Sequence, residues 1–186
     1  MSLLLDYEVV LIDPRSNYSE QNFSKEITII KEWPDEALKK YGDVRYWDVS
    51  KVTDMSSLFF GLESFNENIS SWDVSNVEYM SFMFYDAKKF NSPLRWDVRN
   101  VKDMEQMFHL ARSFNQPISD WNVGKVTNMI SMFQSAESFN RPIYKWDVSN
   151  VESMEHMFLV ARSFDQNISN WDVSSEIDKK NMFEDV

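Results

Sequence analysis

The chain has 186 residues, 43% hydrophobic and 15% aromatic, with 19 Lys and Arg against 30 Asp and Glu for a formal net charge of −11. That is enough apolar chain to bury the core of one domain, and too much for a disordered acidic segment. Lack of Cys excludes disulfides and thiolate chemistry, three Gly leave no glycine-rich phosphate cradle, and the acidic balance disfavours nucleic acid and anionic membrane surfaces as partners.

In chain order, residues 1–46 read as an N-terminal helical cap and lead-in. Met1–Leu5 has neither the basic start nor the length of a signal-peptide core, so no leader is expected within this sequence. The longest apolar runs, such as Val9–Ile12 and Ile27–Ile30, fall far short of the ~20 residues a spanning helix needs, so membrane insertion is not expected. Tyr7–Ile12 is a strand candidate ended by Asp13-Pro14. Ser24 suits the N-cap of a helix over Lys25–Trp33, with Ile27, Ile30 and Trp33 on one face. Pro34 opens a second helix, Asp35–Tyr41, and Gly42 is its C-terminal stop.

From Trp47 the chain repeats. Trp47, Trp72, Trp96, Trp121, Trp146 and Trp171 are spaced 25, 24, 25, 25 and 25 residues apart. With each Trp as position zero, residues 47–170 form five tandem units, and 171–186 a partial sixth. Met occupies position eight (Met55, Met80, Met104, Met129, Met154) and, after Leu58, position eleven (Met83, Met107, Met132, Met157, Met182). Phe occupies position twelve in all six units and position eighteen in five. A residue repeated once per coil stacks on its own copies, as repeat arrays require.

Within a unit the period changes. Ile118, Trp121 and Val123 read as a short strand with one face buried, whereas Met129, Met132, Phe133 and Ala136 follow the 3, 4, 7 spacing of a helix face. Asp54, Asp103, Asn128 and Ser153, at position seven, are N-cap types before that helix, with Tyr79 the exception. The predicted fold is an α/β solenoid of about six coils, leucine-rich-repeat-like, with short parallel strands on one side and short helices on the other. Glu176, Asp178, Lys179 and Lys180 replace apolar positions in the sixth unit, so 171–186 reads as a polar C-terminal cap.

The string WDVSNV-x-x-M-x-x-MF-x-x-A-x-SFNQ-x-IS resembles the tandem repeat of the BspA-like leucine-rich group of bacterial surface proteins, also found in mycoplasma-type lipoproteins. The lead-in KEWPDEALKKYGDVRYWDVS resembles the helical approach to such arrays. The resemblance spans residues 47–183. It implies a leucine-rich-type solenoid used for binding, often adhesion to host proteins, at the cell surface or secreted.

The remaining columns are polar. Asn66, Asn91, Asn115, Asn140 and Asp165 suit a ladder satisfying loop backbone groups. Asp48, Asp73, Asp97, Asp147 and Asp172, interrupted by Asn122, lie between inward Trp and Val and so point outward. Hydrogen bonding to neighbouring Ser and amides, a basic partner, and a cation such as Ca²⁺ are the explanations open for them, in that order. His109 and His156 share no column and read as solvated helix residues, and no nucleophile or metal motif appears, so catalysis and cofactors are not expected. The expected function is non-catalytic binding of a macromolecular partner, a protein, through the concave sheet face. Its strip would comprise Tyr46, Asp48, Asp73, Arg95, Asp97, Arg99, Asp120, Asn122, Lys145, Asp147, Asn170 and Asp172. A carbohydrate-binding or glycan-degrading role is the alternative, and an acidic nucleic-acid mimic a third.

Overall fold

The computed structural model describes residues 43–173 and 182–183. The strand and helices expected within 1–42, and the polar replacements of the sixth unit, lie outside the described residues.

The repeats stack as expected, but they are not built from strands and helices. Among the described residues there is no α-helix and no strand, only a 3-10 turn over Val44–Tyr46 and isolated parallel bridges. The α/β, leucine-rich-repeat-like reading is therefore wrong, and so is its concave sheet. Each coil is instead a succession of tight turns.

The destination of the backbone amides explains why. In the supposed helix, the amides at positions eight, ten, twelve and fourteen leave their own coil. Met55, Ser57, Phe59 and Gly61 donate to the carbonyls of Tyr79, Ser81, Met83 and Tyr85 in the next coil, at 2.7–2.9 Å. Met129, Ser131, Phe133 and Ser135 do the same to Ser153, Glu155, Met157 and Leu159. The intervening amides close turns three residues back: Met132 to Met129, Gln134 to Ser131 and Ala136 to Phe133. An α-helix would spend all these donors four residues back, leaving none to hold the stack.

Aiming alternate amides the same way requires left-handed backbone at positions ten and fourteen. Ser57, Phe82, Gln106, Ser131 and His156 have φ of 50–61°, as do Asp86, Leu110, Ser135 and Val160 at 55–60°, with Gly61 at 71°. Positive φ at the third residue is what a type II turn demands. The apolar residues at eight, eleven, twelve and fifteen all reach the core from these turns, so the 3, 4, 7 spacing arises without a helix. Position seven keeps its local cap: Asp54 and Asp103 accept the amides of Ser56 and Glu105. It also carries the only bridges of the stack among the described residues, Asp54 to Tyr79, Asp103, Asn128 and Ser153 in succession.

Trp-x-Val keeps its alternation without a ladder, because turns close on either side of it. Trp72 donates to Ile69 and Val77 to Val74. The coils are tied there by side chains. The indole N–H of Trp96 reaches the Ile69 carbonyl at 3.1 Å, and those of Trp121, Trp146 and Trp171 reach Leu94, Ile118 and Ile143. The second unit, one residue short, drops the turn that closes on the other Trp residues, yet Trp72 and Trp96 still stack at 6.4 Å.

The core is a set of aromatic and Met columns, as expected from the repeat. Phe84, Phe108, Phe133 and Phe158 stack at 5.5–5.7 Å, and each lies 3.9–4.1 Å from the position-eighteen Phe of its own coil. The Met residues at positions eight and eleven are buried throughout. The asparagine ladder also forms: Asn91, Asn115, Asn140 and Asp165 each donate their amide to the side-chain oxygen of the Asn one coil earlier, at 2.8–3.1 Å.

Candidate functional site

The turn-built coil still presents a polar strip beside the Trp column. All twelve residues expected there are exposed: Tyr46, Arg95, Asp120, Lys145 and Asn170 before each Trp, Asp48, Asp73, Asp97, Asn122, Asp147 and Asp172 after it, and Arg99 at position three. They belong to no sheet.

Local hydrogen bonding occupies the Asp column. Asp48 Oδ1 accepts the Ser50 amide at 3.0 Å and its hydroxyl at 2.7 Å, and Asp147 accepts the same pair from Ser149. Asp73 takes the Ser75 amide, Asn122 that of Gly124, and Asp97 both the amide and the guanidinium of Arg99. Each residue thus fixes its own turn two residues on. Donation from the Ser hydroxyls and then the amides holds the carboxyls of Asp48, Asp73 and Asp147 below the ordinary carboxylate range, and the Arg99 guanidinium does the same for Asp97. For Asp73, repulsion from Asp97 and Asp48 on either side works weakly against this lowering.

The strip's charges divide unevenly. Arg99 pairs with Asp97 at 2.8 Å and Lys145 with Asp120 at 3.7 Å, so the paired carboxylates lie in the middle coils. Asp48, Asp73 and Asp147 make no ion pair among the described residues. Among those residues no three Asp, Glu or His side chains converge on a common point.

Two features escaped sequence reasoning. Gly124 marks a close approach, since a Cβ there would lie 3.3 Å from Asn122 Oδ1 and 3.4 Å from Asp147 Oδ2. Phe60, Tyr85 and His109, all at position thirteen, form an outer ladder with centroids 4.6 and 4.7 Å apart. His109 is therefore not a solvated helix residue: its ring is half-buried against Tyr85. The column was hidden because it passes to Gln134 and Leu159 in the next two units. His156 lies beside Glu155 at 3.8 Å, in a turn rather than a helix.

The family described as "Mycoplasma protein of unknown function, DUF285" matches residues 28–117 and 94–186. The chain belongs to this family. Two overlapping matches along one DUF285 chain agree with the tandem organisation, and with the mycoplasma side of the resemblance. No curated protein and no solved structure matches it. No helix among the described residues is long and apolar enough to cross a membrane.

Proposed function

We propose that this chain is a non-catalytic binding array whose polar strip docks a protein partner carrying basic side chains. The observation that supports the reading is variation on a fixed frame. The buried columns repeat one residue type from coil to coil, whereas the exposed residue before each Trp runs Tyr46, Ser71, Arg95, Asp120, Lys145 and Asn170. A surface that varies while its support does not is suited to recognition. The carboxylates without ion pairs are held ionised by their Ser partners, which favours positive charge on the partner. The BspA-like resemblance makes adhesion at a cell surface the first setting to test.

The test is binding of fluorescein-labelled oligolysine, followed by selection from a displayed peptide library. Asp73→Asn with Asp147→Asn removes charge but keeps the acceptor, as Asn122 does naturally. Binding should weaken in the double variant and at high salt, with the melting transition preserved. Equal binding by wild type and variant refutes the strip, and capture on a glycan array instead moves the reading to carbohydrate.

A further inference from the structure

The outer ladder contains a group that acid should displace. His109 stacks on Tyr85 at 4.7 Å with the rings 23° apart, and Tyr85 in turn stacks on Phe60 and lies 6.1 Å from Phe82. The His109 Nδ1 is withdrawn from water and has no hydrogen-bond partner. Its backbone is pinned on both sides: the amide closes a turn on Gln106 at 3.2 Å, and the carbonyl accepts the Asp86 amide at 2.8 Å. The ring can therefore leave the ladder without the coil opening.

Neutral imidazole tolerates this site, because an unpartnered buried nitrogen costs far less than an unpartnered buried charge. Imidazolium must place a charged N–H where nothing accepts it. The charged groups facing it are few. Asp86, in the preceding coil, favours the cation, but its carboxylate is also drawn to Lys88 Nζ at 3.7 Å. Gln134 holds the same position in the following coil and is uncharged. Tyr85 offers a ring face, a weak attraction for a cation beside the desolvation of a buried one.

We propose that His109 is an acid-operated latch on the outer face: neutral, it closes the ladder over Tyr85, and protonated, it swings out and uncovers that ring. Burial lowers its pKa below the ordinary histidine value, in keeping with a closed neutral form. The device is independent of the polar strip and of the function assigned to it.

Proton NMR of the full chain, in a His156→Gln background that leaves one histidine, tests this. The His109 ring proton should titrate with a midpoint below about 6.5, and the Tyr85 ring signals should shift over the same interval. His109→Phe should keep the ladder closed, abolishing the Tyr85 shift and flattening the urea midpoint between pH 7.5 and 5. A midpoint at or above the ordinary value, Tyr85 signals that do not move, or the same pH dependence in His109→Phe would each overturn the latch.

Discussion

Replacing Ser135 by Gly and by Ala discriminates a turn from a helix by the sign of the result. Ser135 has φ of 58° and donates its amide to Leu159 at 2.8 Å. At such a φ a Cβ costs about 1–2 kcal/mol. Glycine escapes that cost but returns about 0.5–1 kcal/mol through its looser unfolded chain. Gly should therefore be more stable than Ala by roughly 0.5–1 kcal/mol. Were the segment helical, Ala would win by about 1 kcal/mol. The two readings thus lie about 2 kcal/mol apart and opposite in sign. Urea unfolding followed by fluorescence of the core Trp column resolves such a gap. A more stable Ala variant at both Ser135 and Gln106, its counterpart at position ten with φ of 50°, would refute the turn-built coil.

Other outcomes follow from the columns. Phe108→Ala removes a fully buried ring that stacks on Phe84, Phe114 and Phe133, and should cost about 3–5 kcal/mol in urea unfolding. Asn115→Ala strands the Asn140 amide, at about 1–2 kcal/mol, whereas Asn115→Asp keeps the acceptor and most of the stability. Native-state exchange of that amide distinguishes the two. The carboxyls of Asp48, Asp73, Asp97 and Asp147 sit below their ordinary value of 3.8, so the native state binds protons less readily than the unfolded chain. Their stabilisation is present above that pH and lost as pH falls through the lower native values, which thermal melts from pH 7 to 2 should show. Ser149→Ala should raise the Asp147 titration midpoint, read by NMR.

The core was legible because burial imposes residue type. Trp, Met and Phe recur in register, and the columns predicted from the spacing are buried except at their ends, where Trp47 and Trp171 are partly covered and Phe183 is exposed. The backbone between them was not legible. Successive turns closing three residues back place Met129, Met132, Phe133 and Ala136 inward just as a helix would. The cue was positive φ at position fourteen, which Gly61, Asp86 and Ser135 suit, but Leu110 and Val160 occupy the same place and conceal it. The Asp column was read more successfully, since an Asp two residues before Ser carries its own turn chemistry. The outer ladder was missed because it runs through only three coils.

The shortened second unit shows where this architecture has slack. The residue missing between Leu94 and Trp96 costs neither the indole bond to Ile69 nor the stacking of Trp96 on Trp72. Registration is thus enforced by the pillars and not by the connector ahead of each tryptophan. That connector ends in the residue beside the carboxylate row, so added or deleted residues would alter the exposed polar strip without moving the scaffold. It is the natural place to graft foreign loops.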